Sequence, residues 1–599
     1  MSGSGRVDWR YSGVMRMAES GSRAVGRYRR SRPWRRAAPP PEELLAPPPL
    51  SVTPLGPERA LDEPALLAID LLNPTPAVII DHERLSWAVE FGFVGGDVCG
   101  ALHAALQRAP VAASDFDPES FATGLFVSDL IRTCMRVRVG ALEPVIDALF
   151  VARVLTHPPR ELAVVEYRRA LLRELAGNAA RQGELEAVYA ALHRLRALLD
   201  AQGSSADLDG RTRRLETLAA LRDVLGLMAD SFPGAESGLA RIRAFGERAI
   251  VTDGYRKLVE LLDYDNHMAS VELKLRIGAD GKIRRFEIER IHENRDNPFH
   301  QSALGRWWTR LALWLRGYSL GETELVNRWV DAIFEGVQEL VPPLLQLLGE
   351  IEVYLAALAF KDAAERKRLP VCLPELSPER TDGPRFTRLY NPLLFSQGIT
   401  PLPCDVELAE FQTTTLLTGP NSGGKTRVLQ GLAIAQMLGQ AGFFVPAERA
   451  MIGCARGLFV SLIEEARADQ KEGRLGTELL RIRTLFERSQ PGSLIILDEL
   501  CSGTNPSEGE DIIRLVLSLL GELDACVFIT THFLEFARRL SEEPSRDRLS
   551  FLQVALDELE RPTYQFVPGV ARTSLAHQTA ARLGVTRDQL LELIRRRPG

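Results

Sequence analysis

Gly419-Pro420-Asn421-Ser422-Gly423-Gly424-Lys425-Thr426 decides how the C-terminal part of this chain folds. The spacing is GxxxxGK[ST], with an apolar run, Thr414–Thr418, before it and a helical pattern starting near Thr426 after it. Strand, glycine loop and helix in that order suit phosphate binding. The glycines let backbone N–H groups turn toward phosphate oxygens, and the helix N-terminus adds the positive end of its dipole. On this reading Gly419 through Thr426 hold the nucleotide, Lys425 supplies a point charge for the β/γ-phosphates, and Thr426 offers a hydroxyl to Mg²⁺. Only seven of the 73 Lys+Arg residues are lysine, so a lysine at this position is informative where arginine is not.

Downstream, Ser493–Leu497 is a short apolar strand that delivers Asp498-Glu499 to its C-terminal end, the edge at which open α/β sheets bind ligands. Asp498 would hold the metal through water, and Glu499 would orient or activate the attacking water. Two adjacent carboxylates repel each other unless a cation stands nearby, which Mg·ATP provides. A third strand, Cys526–Thr530, ends in Thr531-His532, where an imidazole can reach a γ-phosphate. The expected unit over 385–599 is an α/β P-loop domain of the ABC-like ATPase kind. Its cofactors are ATP and Mg²⁺, its catalytic residues Lys425, Glu499 and His532, and its metal residues Thr426 and Asp498.

Upstream, residues 61–384 are predominantly helical. Leu185, Val188, Leu192, Leu195 and Leu199 recur at steps of three and four, as do Val326, Val330, Ile333, Val337 and Leu340 until Pro342-Pro343 interrupts the pattern. Such repeats predict long amphipathic helices. Val271, Leu273, Leu275 and Ile277 alternate instead, a Gly278-Ala279-Asp280-Gly281 turn follows, and Ile283–Ile291 is again extended, so a β-hairpin is expected. Arg306 to Tyr318 mixes basic and aromatic residues, but Trp307, Leu311, Trp314, Leu315 and Tyr318 fall at helical spacing, which favours a buried helix over base stacking. Residues 1–60 read as unfolded: ten arginines precede Ala37, and proline runs follow. That composition fits a basic arm on nucleic acid, a transit peptide or an upstream start codon alike.

Over the 599 residues the net charge is −6, with 45% hydrophobic and 25% charged residues, ordinary values for a globular chain. No run approaches 18 uninterrupted apolar residues, so no membrane span is expected. The seven cysteines form no CxxC pair, which argues against a structural zinc and for a reducing compartment. Scarce lysine with abundant Arg and Ala suggests a GC-rich bacterial source, hence cytoplasm.

Four stretches together resemble the MutS family of DNA mismatch-repair ATPases: GPNSGGKT, Phe443–Glu448 (FFVPAE), Leu497–Gly509 (LDELCSGTNPSEG) and Thr530–Phe536 (TTHFLEF). The tail Tyr564–Leu591 and the lead-in Tyr390-Asn391-Pro392 are similar too, although the family usually has a histidine before that proline. The resemblance covers about Arg385–Arg595. It implies ATPase domains paired in a homodimer, levers moved by nucleotide, and DNA as partner. By the same resemblance the hairpin near 271–291 stands where a DNA clamp is expected, in reduced form.

The departures qualify this. Counting back from Asp498, the family's signature serine falls at Gly473, with Thr477 and Arg474 as nearby substitutes. Nothing in the first 120 residues resembles the mismatch-reading domain. Phe245-Gly246-Glu247 has the residue types of its wedge but lies in a helical stretch. A branched DNA is therefore the expected ligand ahead of a single mismatch, and no nuclease-like tail is expected. The alternative is a same-family ATPase acting on ribosomes, RNA or a protein. Membrane transport would need an LSGGQ-like signature, which Lys471–Leu480 lacks.

Overall fold

The computed structural model describes residues 68–77, 81–95, 99–144, 146–200, 210–266, 270–277, 283–292, 330–377, 382–408, 410–420, 422–462, 474–501, 505–543, 548–573 and 585–595. The segments 1–60 and 301–329, Asn421, Gly473 and 574–584 lie outside them, and with them the expectations placed there.

Helices dominate up to residue 366, the longest being Ala179–Leu199, Gly210–Asp230 and Val341–Arg366. Ala179–Leu199 buries the predicted stripe, Leu185, Val188, Leu192, Leu195 and Leu199. Asn178 caps it, its side chain accepting from the amides of Ala180 and Arg181. Phe245 and Gly246 lie inside the helix Leu239–Ile250 and are buried. A Cβ on Gly246 would fall 2.3 Å from the Ala229 amide nitrogen, so this glycine serves close helix packing.

Pro342-Pro343 act differently from the sequence expectation. The preceding run ends earlier, in a turn at Gly336-Val337 and a 3₁₀ turn at Gln338–Leu340, and the prolines open the next helix, Val341–Arg366. In the first turn a missing N–H costs nothing and φ is preset. That helix also revises the membrane reading. Gln338–Arg366 is long and apolar enough to cross a bilayer, but 94% of its most apolar window is buried inside the protein, as a core helix.

The hairpin is present. β1 (Ser270–Ile277) pairs antiparallel with β2 (Ile283–His292), Val271 opposite Ile291 and Leu275 opposite Phe286, with irregularities after Glu272 and Arg276.

Two further sheets follow. A four-stranded sheet orders β3 (Glu375–Ser377), β7 (Arg449–Gly453), β4 (Arg385–Leu389) and β5 (Cys404–Glu407). The sequence patterns did not single it out. The six-stranded sheet runs β12 (Pro562–Pro568), β11 (Leu549–Leu556), β6 (Thr414–Thr418), β10 (Cys526–Thr530), β9 (Leu494–Leu497) and β8 (Leu458–Ser461). All neighbours are parallel except β11 and β12.

Both faces of this sheet are covered, which is why its central strands are continuously apolar. Ile495, Leu497, Val527 and Ile529 pack with Leu485, Val516 and Leu520 from the helices Arg474–Arg488 and Pro506–Leu520. Leu494, Ile496, Cys526 and Phe528 face the other way, into a core shared with the helix Lys425–Gln440 and the helical region. The helical region and the sheet therefore share one continuous core.

Candidate nucleotide site

β6, β9 and β10 are neighbours, so their C-terminal ends bring the glycine loop, Asp498-Glu499 and His532 to one edge of the sheet. Gly419 (φ 138°) and Gly424 (φ 87°) hold backbone conformations that L residues rarely adopt. Space is short as well: a Cβ on Gly419 would clash with Val554 Cγ2 at 2.7 Å, and one on Gly424 would press on Tyr564 Cδ1 at 3.1 Å. Gly424 is the N-cap of the helix Lys425–Gln440 and has no side chain to cap it, so the first amides face outward.

Lys425 is 6% exposed, and its Nζ donates to the carbonyls of Gly419 (3.0 Å) and Pro420 (3.1 Å). Burial pulls its pKa down, while Glu499 and Asp498 pull it back up. The ammonium thus already spans the mouth of the loop. Thr426 Oγ1 donates to Asp498 Oδ2 at 2.7 Å, joining the two residues expected to hold a metal. The other carboxylate oxygen, Oδ1, accepts from Thr530 Oγ1 at 2.6 Å. The ring Nε2 of His532 donates to Glu499 Oε1.

Four non-glycine residues here, Ser422 (φ 68°), Glu499 (φ 52°), Cys501 (φ 60°) and Tyr564 (φ 61°), sit in the left-handed region. Each such residue costs about 1–3 kcal/mol and persists only where its surroundings over-determine it. The strain falls on the glycine loop, the loop after β9 and the facing strand β12.

Lys425, Thr426 and Glu499 line a cavity of about 1570 Å³. That exceeds the roughly 300–1,000 Å³ usual for small-molecule sites. Its walls include Tyr564 and Phe566 of β12 beside the loop and, on the far side, Phe126 and Arg488. Arg488 pairs with Asp117 (2.8 Å) and Glu119 (2.9 Å), so the last turn of one sheet helix is tied to the helical region at the cavity's rim. Asn391, in the lead-in, donates to Arg427 O and Gln430 Oε1, both at 3.0 Å, and so fastens that loop to the helix after the glycines.

All the described residues that the sequence pointed to converge: Gly419, Pro420, Ser422, Gly423, Gly424, Lys425, Thr426, Asp498, Glu499 and His532 belong to this one edge. Asn421 and Gly473 lie outside the described residues, and Arg474 and Thr477 fall in the helix Arg474–Arg488. Sequence reasoning missed Thr530 and the aromatic wall, Tyr564 and Phe566. A hydroxyl at a strand end beside a motif histidine was the available signal for the first. Among the described residues no three or more His, Cys, Asp or Glu side chains gather as a metal cluster, so a cation here would need phosphate or water to complete its ligands.

The family model for MutS domain V matches residues 415–591. Among curated proteins the chain is similar to Endonuclease MutS2 of Thermomicrobium roseum, 29% identical over 305 residues, which cover 49% of this chain and 36% of that protein. Endonuclease MutS2 of Thermus thermophilus is 29% identical over 280 residues, 46% of this chain and 35% of that protein. That of Levilactobacillus brevis is 33% identical over 183 residues, 30% and 23% of the two chains. The chain spans about a third or less of the length of these relatives.

Proposed function

We propose that this chain, a MutS-family member through residues 415–591, is an ATPase that couples Mg²⁺-dependent ATP binding and hydrolysis to movement of its helical region on mismatched or branched DNA. The observation that carries the reading is the convergence of Lys425, Thr426, Asp498, Glu499 and His532 on one sheet edge, where Lys425, Thr426 and Glu499 line one cavity and Asp498 and His532 bond to two of these.

The glycine-loop amides and the helix N-terminus bind the phosphates, and Lys425 exchanges its carbonyl partners for phosphate oxygens. Thr426 and Asp498, already joined at 2.7 Å, are the residues that would hold Mg²⁺. A bound Mg²⁺ supplies charge neutralisation on the β- and γ-phosphates. Glu499 orients the attacking water and accepts its proton. In the present arrangement the His532 ring holds the Glu499 carboxylate, so the two act as a pair. Because the rim of the cavity is tied to the helical region through Arg488, a change in how the cavity is filled has a physical route to the helices. Pairing of ATPase domains in a homodimer and a cytoplasmic location are part of the proposal, on family resemblance and composition respectively.

The test is ATP hydrolysis alone and with a matched duplex, a mismatched duplex and a four-way junction, each at two salt concentrations because phosphate contacts weaken with salt. The proposal expects stimulation by a mismatched or branched form. Hydrolysis indifferent to every DNA, with no gel shift at moderate salt, would overturn the DNA assignment and transfer it to an RNA, ribosomal or protein partner.

A further inference from the structure

Thr530 is fully buried at the end of β10, yet its hydroxyl connects both candidate carboxylate residues. It donates to Asp498 Oδ1 at 2.6 Å and accepts from the Glu499 backbone N–H at 2.8 Å. A hydroxyl has one proton and two lone pairs. With the proton committed to Asp498, a lone pair serves Glu499, and both bonds are used together.

The two hydroxyls on Asp498 are not equivalent. Thr426 lines the cavity, so its bond to Oδ2 can be given up to a ligand. Thr530 has no exposed surface, so its bond to Oδ1 can stay in place when a ligand enters. The second bond bears on strain. Glu499 adopts φ 52°, and its amide is fixed by Thr530. The same residue that aims Asp498 therefore helps hold Glu499 in a conformation it would otherwise leave.

We propose that Thr530 is a positioning residue for the nucleotide site: it points Asp498 Oδ2 toward Thr426 and the cavity, and it fixes the backbone from which Glu499 reaches His532. This rests on the ATPase reading. Thr530 touches neither phosphate nor metal; it acts through the carboxylates, as residues behind a metal ligand do, whose loss typically costs about 10–100-fold in metal affinity or activity.

Thr530→Val keeps the β-branched shape and removes the hydroxyl, whereas Thr530→Ser keeps the hydroxyl. With the whole 599-residue chain, kcat is measured against Mg²⁺ concentration, and binding of a fluorescent ATP analogue is measured in EDTA and in Mg²⁺. The expected result for Thr530→Val is a half-saturating Mg²⁺ concentration raised about tenfold and a kcat lowered about 10–100-fold. Its binding in EDTA stays within about twofold of wild type, and Thr530→Ser recovers most of both losses. A folded Thr530→Val with wild-type kcat and Mg²⁺ dependence overturns the proposal. So does a folded Thr530→Ser as impaired as the Val variant, which also decides the matter if Val does not fold. Wild-type protein that neither binds nor hydrolyses Mg·ATP would overturn the ATPase reading itself, a result separate from either.

Discussion

The helix Lys425–Gln440 has a pair of carboxylates beyond each end, and the two pairs are treated differently. At its N-terminus, Asp498 and Glu499 are held by side chains, Thr426, Thr530 and His532, beside an open cavity. Past its C-terminus, the carbonyl of Ala441 accepts from Arg168 Nη1 at 3.1 Å, inside a cluster with Asp70 and Glu350. There backbone donors serve one oxygen of each carboxylate, Leu71 N–H to Glu350 Oε2 and the amides of Leu72 and Asn73 to Asp70 Oδ1, while Gln346 Nε2 and Asn73 Nδ2 serve the other. Arg168, Asp70 and Glu350 are all 0–1% exposed. Burial raises Glu350 well above the usual carboxylate range, with the charge of Asp70 adding to it, and burial likewise lowers Arg168. Thr426, which lines the cavity, can release Asp498 when a ligand arrives, whereas buried Thr530 and the backbone donors at the far end cannot rotate away. The first pair is built to exchange partners and the second to stay put, fixing the far end of the helix to the helical region.

Breaking the first pair should change chemistry and spare the fold. Glu499→Gln is expected to lower the ATP hydrolysis rate about 10²–10⁴-fold, the usual worth of a positioned acid or base, with nucleotide binding retained. Single-turnover hydrolysis with a parallel binding titration checks this; loss of binding in equal measure would place Glu499 in nucleotide retention instead.

Breaking the second should do the reverse. Arg168→Met orphans the buried carbonyls of Leu72 and Ala441, for a loss of about 1–3 kcal/mol of stability at each. Urea denaturation reads it. At temperatures where the variant stays folded, nucleotide binding should survive.

A third buried carboxylate sharpens the contrast by pH. Glu352, which accepts from the Asp147 amide and from Tyr189 OH, is pushed up to about 7 by burial. Its folded pKa exceeds its unfolded value near 4.5, so its contribution is fully present below about pH 4.5 and is lost as pH rises through about 7. Glu352→Gln should therefore gain stability over wild type above pH 7, by on the order of 2–3 kcal/mol, and little or none near pH 4.5. Thermal melts across that range test it; parallel curves would mean that Glu352 ionises freely in the fold.

The smallest effect belongs to Tyr390, whose buried hydroxyl has no hydrogen-bond partner. Tyr390→Phe removes an unsatisfied group and should be neutral or stabilising by about 1 kcal/mol. A clear loss of nucleotide affinity would give that hydroxyl a ligand-side role.

What the sequence disclosed follows the same division. The glycine loop, the carboxylates after β9 and the histidine after β10 were legible because their spacing is local and their residue types are tied to chemistry. The stripe from Leu185 to Leu199 was legible because one face is buried and the other is not. The joint of Arg168, Asp70 and Glu350 was not: it assembles from positions up to 280 residues apart, as in the bond from Leu71 N–H to Glu350, 279 residues away. Val341–Arg366 is buried on nearly all sides, so it shows no polar face to read. Thr530 escaped because in a strand threonine is ordinarily β-branched filler, and only the register with β9 puts its hydroxyl between the Asp498 carboxylate and the Glu499 backbone amide.

The most direct test of the central claim is Mg²⁺-dependent ATP hydrolysis by the purified 599-residue chain beside its Lys425→Ala variant. The account predicts turnover in the wild type that disappears in EDTA and falls to the background in Lys425→Ala, with the variant still folded. Equal turnover in the two proteins, or none in the wild type with or without DNA, would contradict it.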